Sequence, residues 1–326
     1  MSTFGRNNNS RHRVASPQHR TDIPTRRATF SAAGYAAARP SYPPILFKRV
    51  LDYHEGAGFG TVVDLGCGHG LVARELGGHF ERAVGVDPSA GMIRQASEST
   101  PQGSNITFRQ SRSEDLSFLA DGSVDLAVAA QAAHWFDYGK AWPELARVVR
   151  SGGSLAFWGY KDNVLIGHPQ ANAIFDAFCY GKDDVAPGIE GMDKYWERPG
   201  RDILRRLLRD IEPPVSDWQG VKRIVCDVDA SVKEEDIPGG GEAWLRKKLT
   251  LGGFESYVRT FSAFQGWKDA NPGMVSRADG GQGDLVDLLM DRVVEAEPEW
   301  KVLGDGWRDA EVETVWGTCI LLAKRR

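Results

Sequence analysis

The stretch Val62-Val63-Asp64-Leu65-Gly66-Cys67-Gly68-His69-Gly70 constrains this chain more than any other. Residues 61–65 read as a short buried parallel strand, apolar and β-branched, with glycine on either side. Glycines at 66, 68 and 70 let the backbone turn sharply and approach a ligand closely. Residues 71–76 then open a helix whose first amides and positive dipole end face an anionic group. This is a strand–glycine loop–helix nucleotide site. A dinucleotide fingerprint places its third glycine where Leu71 stands; here Gly70 comes one residue early. Asp64 would also repel a pyrophosphate. A ligand with an ammonium group and a carboxylate fits better, Asp64 facing the cation and the helix amides the carboxylate.

A second run, Ala83-Val84-Gly85-Val86-Asp87, is another short apolar strand ending in an acid, and Pro88-Ser89 starts a helix over 90–96. A doubly wound fold places such a carboxylate, about twenty residues beyond the glycines, to accept from both ribose hydroxyls. The two runs together resemble the first two motifs of the class I S-adenosylmethionine-dependent methyltransferases. The resemblance implies an enzyme, a Rossmann-like seven-stranded mostly parallel sheet with its last strand antiparallel, helices on both faces and a helical lid insertion. It implies S-adenosyl-L-methionine as cofactor, held by Asp64, Gly66, Cys67, Gly68, Asp87 and Pro88.

Residues 1–28 are rich in Arg, Asn and Ser, with almost nothing to bury, and are expected to form a disordered basic tail. Residues 29–326 are expected to be the methyltransferase domain. In residues 30–44 the pattern Tyr-x-x-x-Arg-Pro-x-Tyr-Pro is similar to the leader of the trans-aconitate methyltransferase-like branch. That likeness implies that Tyr35, Arg39 and Tyr42 help close the site, Tyr35 and Arg39 on the cofactor and Tyr42 on the substrate. A helix from about Pro44 to His54 follows.

The third strand covers 105–110, and Ser113-Glu114-Asp115-Leu116 after it resembles the family element that holds adenine. This implies Asp115 for the exocyclic amine and Ser113 and Glu114 for the ring edge. The fourth strand, 123–130, carries Gln131-Ala132-Ala133-His134-Trp135-Phe136 at its carboxyl end, where open α/β sheets bind ligands. That run closely matches the same branch, which implies Gln131 at the cofactor and His134 and Trp135 at the reaction centre. A helix over 141–150 ends at a Gly152–Gly153 cap before a fifth strand, 154–160, whose Tyr160 is assigned to the substrate. The β-α alternation over 61–160 argues for a parallel sheet with helices on both faces.

Beyond 160 helices are expected over 171–180 and 203–209, and strands over 221–228 and 313–323 that form an antiparallel pair at the sheet edge. Between these strands lies an insertion of about 229–311, read as a helical lid, with Pro238-Gly239-Gly240-Gly241 as either a hinge or a plain flexible loop. It holds Trp244, Trp267, Trp300 and Trp307, which either wall the substrate pocket or form the lid's own core. Arg259 offers a guanidinium fork for a substrate carboxylate, or a surface salt bridge.

The net charge of −4 gives no global footprint for nucleic acid or an anionic membrane. The four cysteines show no metal spacing, and no apolar run approaches the length of a membrane span. These features predict a cytoplasmic protein, monomer or homodimer, acting on a small molecule, with no metal, nucleic-acid or membrane partner. The branch resemblance favours a small carboxylic acid as methyl acceptor. A carboxylate is already ionised near neutral pH and needs no base, whereas a hydroxyl would need one, for which His134 is the candidate. A nicotinamide oxidoreductase, a non-catalytic cofactor-binding regulator and a nucleic-acid methyltransferase are the competing readings.

Overall fold

The computed structural model describes residues 41–238 and 243–326. The basic tail, Tyr35, Arg39 and most of the 238–241 hinge therefore lie outside the described residues. Within them the main sheet runs β3-β2-β1-β4-β5-β10-β8, with β9 (Arg246–Thr250) pairing to the start of β10 on the edge that β8 uses further along. The first five strands, β1 (Thr61–Leu65), β2 (Arg82–Asp87), β3 (Ile106–Gln110), β4 (Val124–Ala130) and β5 (Val149–Leu165), pair in parallel. The closing strand β10 (Glu311–Arg325) runs antiparallel between β5 and β8 (Trp218–Cys226). This is the mostly parallel sheet with antiparallel final strands that the motifs imply.

Strand alternation sends neighbouring side chains to opposite faces, and the two cores follow that alternation. Val62, Leu126, Val128, Ala156, Trp158, Ile320 and Leu322 belong to one core. Val63, Leu65, Ala127, Ala129, Leu155, Phe157, Cys319 and Leu321 belong to the other. The first is covered by α1 (Pro44–His54) and α2 (Leu71–Gly77), and by α5 (Pro169–Tyr180) together with α7 (Leu251–Arg259), α8 (Ser262–Ala270) and α9 (Leu285–Ala296). The second is covered by α4 (Tyr138–Val148) and α6 (Gly200–Arg205). The remaining helices are α3 (Ala90–Glu98) and the short α10 (Pro298–Lys301), and a β6–β7 hairpin (Asp184–Ala186, Ile189–Glu190) follows α5.

Three expectations need correction. Gly152 and Gly153 do not cap a helix: α4 stops at Val148 and both glycines lie within β5. There they sit in a register shift, since Val124 pairs with Val149 and Leu126 already with Ser154, and Gly152 turns through φ +77°. The helix expected over 203–209 is instead Gly200–Arg205, followed by Leu207 and Leu208 at positive φ. The insertion is not all helical, because its Arg246–Thr250 is β9, paired to the start of β10. Trp244, Trp267 and Trp300 are buried in the core that α1, the sheet and the insertion helices share.

Candidate active site

The loop after β1 is tied down by its neighbours. The amides of Gly66 and Cys67 both donate to the Val86 carbonyl, at 2.8 and 2.9 Å. Gly66 adopts φ +69°, and a Cβ there would stand 2.5 Å from Cβ of Ala132 after β4, so only glycine lets the two strand ends close. Gly68 adopts φ +54°, and a Cβ there would meet nothing within 4 Å, which leaves open space above its backbone.

Two acids flank that space. Asp87, last in β2, accepts from the Gly68 amide with Oδ2 (3.0 Å) and from the Ser89 amide with Oδ1 (2.8 Å). Each oxygen retains a lone pair for a further donor. Partial burial holds its carboxyl above the usual carboxylate range. Asp64 is buried, its Oδ2 accepting from the Ala73 amide at 3.1 Å. One of the helix amides expected for a ligand carboxylate is thus taken by Asp64. Its Oδ1 is buried with no hydrogen-bond partner among the described residues. Burial, reinforced by the nearby Asp87 charge, pushes the Asp64 carboxyl up to about 7. A buried carboxylate oxygen without a donor is the observation that fits a cation beside it. Cys67 is buried, its thiol pushed up by desolvation, so this residue offers its backbone rather than a thiolate. Pro88 contributes a carbonyl that accepts from Gln110 Nε2 at 2.9 Å.

The turn after β4 is the third wall. Glu114 Oε1 accepts from the Asp137 amide (2.7 Å) and Tyr138 donates its hydroxyl proton to the Ala133 carbonyl (2.7 Å), which fixes His134 and Trp135 in a single 3₁₀ turn. His134 is buried, and its Nδ1 has no partner among the described residues. Desolvation, and then the positive charge of Arg201, push its imidazole down to about 3. Trp135 is half exposed and packs against α6: a Cβ on Gly200 would come within 2.7 Å of its ring. Ser113 is buried, while Asp115 is exposed, its carboxylate accepting from the Ser117 amide at 3.2 Å.

Two assigned side chains are occupied elsewhere. Gln131 sits at φ +54° and pairs its whole amide with the Tyr160 backbone, accepting from N and donating to O at 2.9 Å each. Its side chain therefore bridges β4 to β5, with one N–H and one oxygen lone pair left over. Arg259 is neither a substrate clamp nor a surface pair: it binds Glu255 (2.8 Å), Asp284 (2.7 Å) and Asp287 (3.0 Å), the last two fully buried. Of the other substrate residues, Tyr42 packs edge-on against Trp158 at 5.8 Å and near Trp244, and Tyr160 is buried in the same core.

Sequence reading missed Arg201. Its guanidinium is buried, bonded to Asp162 and to the Tyr180 hydroxyl, and lies 4.0 Å over the Trp196 ring. The run Trp196-Glu197-Arg198-Pro199-Gly200-Arg201 marks the position only in retrospect, since an arginine among charged neighbours reads as surface.

A glycine loop beneath open space, an acid at each of two adjacent strand ends and a fixed third turn define a nucleoside-binding α/β enzyme. The model of a methyltransferase domain matches residues 63–157, the span that builds all three walls. Methyltransferase AacuQ of Aspergillus aculeatus is 34% identical over 321 residues, covering 90% of this chain and 92% of its own. The chain belongs to the class I S-adenosylmethionine-dependent methyltransferases. It is also similar to yeast CRG1, described as a probable S-adenosylmethionine-dependent methyltransferase of Saccharomyces cerevisiae, 28% identical over 82% of this chain and 88% of that one. A solved structure from Anaeromyxobacter dehalogenans, assigned as a type II methyltransferase, shares the fold at TM-score 0.58 and 24% identity, over 88% of this chain and 97% of that one.

Proposed function

We propose that this methyltransferase esterifies a small carboxylic acid, taking the methyl group from S-adenosylmethionine. The observation that supports this acceptor type is the burial of His134, whose Nδ1 has no hydrogen-bond partner among the described residues. A base for a hydroxyl acceptor works best with a conjugate acid near neutral pH. A buried imidazole pushed down to about 3 stays neutral at physiological pH and pulls weakly on a proton. A carboxylate is ionised already and asks only to be aligned and kept dry, and positioning of that kind is worth roughly 7–11 kcal/mol. The leader around Tyr35 and Arg39 and the Gln131–Phe136 run, both similar to the trans-aconitate methyltransferase-like branch, support the same acceptor class.

When bound, the cofactor supplies an electrophilic methyl group on a sulfonium. The residues of this chain do the rest. Asp87 accepts from the ribose hydroxyls, Asp64 Oδ1 faces the ammonium group, and Gly66 to Gly68 give their backbone to the ligand. Ser113, Glu114 and Asp115 border the adenine. Neutral His134 orients the acceptor, Trp135 flanks it, and Tyr42 and Tyr160 bound its pocket with the insertion as lid. His134→Gln, with trans-aconitate as the probe acid, tests the assignment. The reading expects turnover at saturating donor to stay within about tenfold of wild type, with no titration near pH 6.5 in either protein. A wild-type rate that rises through pH 6.5 and collapses in His134→Gln makes His134 a base and overturns the ester reading.

A further inference from the structure

Away from the methyl-transfer site, the junction between β5 and α5 meets the junction between α9 and α10. His168 precedes Pro169 at the start of α5, and Glu297 and Glu299 flank Pro298 at the start of α10. We propose that His168, Glu297 and Glu299 form a structural site for a borderline divalent cation, zinc above all, that staples α5 to the end of α9.

Three observations meet here. His168 Nδ1 is buried and has no hydrogen-bond partner among the described residues. It lies 3.6 Å from Glu297 Oε2 and 3.4 Å from Glu299 Oε1, beyond the usual N–H···O range. Those spacings match the edge of a tetrahedron drawn around a zinc with bonds near 2.1 Å, about 3.4 Å. The third edge, between the carboxylate oxygens, is within 4.8 Å and closes by a small swing of the exposed Glu299 side chain. The ligands are also held from behind. Glu297 is buried and its other oxygen accepts from the Ala171 amide at 3.1 Å, while the Trp300 ring lies 4.3 Å from the imidazole. Hydrogen bonds and packing behind the ligands orient them for a metal. One imidazole nitrogen with two carboxylate oxygens favours zinc over magnesium or calcium, which prefer all-oxygen shells.

The experiment uses the full chain, free of tags and dialysed against metal-free buffer, with zinc chloride as the probe. The wild type is expected to retain one zinc per chain on gel filtration, by mass spectrometry of the metal. Zinc should raise its Tm by several degrees, reversibly with chelator. Glu299→Gln, at a side chain more than half exposed, and His168→Gln should each lose the metal and the Tm response, while Glu295→Gln, also at an exposed acid, keeps both. A wild type that takes up no zinc, or variants at 168 and 299 that take up as much as wild type, overturns the site and leaves a plain imidazole–carboxylate cluster.

Discussion

At the scale of single residues the account rests on Asp64 and Asp87, two acids with different tasks. Asp87 is already bonded to both flanking loops, so replacing it removes ligand and scaffold contacts together. Asp64 is the residue whose charge the fold alone does not satisfy. Its folded-state pKa is raised, so its contribution to stability is complete below about pH 4 and is lost as pH rises through about 7. A bound ammonium group reverses this by favouring the carboxylate, so cofactor binding near pH 6 should release a proton. Calorimetry in buffers of differing ionisation enthalpy should show that release in the wild type and not in Asp64→Asn. The variant should bind the cofactor at least about tenfold more weakly, yet melt higher without it at pH 8. An Asp64→Asn protein that melts lower at pH 8 and binds normally would remove Asp64 from the site.

At the scale of elements, Arg259 shows how a chemically reasonable assignment goes astray. Asp284 and Asp287 cap α9 with a reciprocal capping box, and the Arg259 guanidinium from α7 neutralises both. Arg259→Met should cost about 2–4 kcal/mol, because it leaves buried carboxylates uncompensated. The Tm should fall by several degrees while the KM for the acceptor stays unchanged; a raised KM at unchanged Tm would return Arg259 to the substrate. The two aspartate partners of Arg259 stand 25 and 28 residues away, a distance that local pattern does not reach. The same limit hid Gln131, whose amide closes on Tyr160. Strands β1, β2 and β4 were legible because burial on both faces demands continuous apolar runs, and the glycine loop because its spacing is steric. β9 was not, since Arg246-Lys247-Lys248 carries no strand pattern and is paired only because β10 extends past β8 to meet it. Gly152 and Gly153 resembled a helix cap because positive φ serves a strand bulge equally well.

At the scale of the whole molecule, a methyltransferase sheet sets β2, β1 and β4 side by side, and the helices of a long insertion share one core with it. Among the described residues no helix is long and apolar enough to cross a membrane. The membership of the family follows from residues 63–157 and the near full-length relatives; the acceptor class is our proposal, supported by a buried His134 whose Nδ1 has no partner among the described residues. The most direct measurement is transfer of a trideuteromethyl group from labelled S-adenosylmethionine to a panel of small carboxylic acids, followed by mass spectrometry before and after mild alkali. The account predicts a labelled, alkali-labile ester with the wild type and none with Asp87→Ala. A labelled product that survives alkali as an ether, or equal labelling by Asp87→Ala, would contradict it.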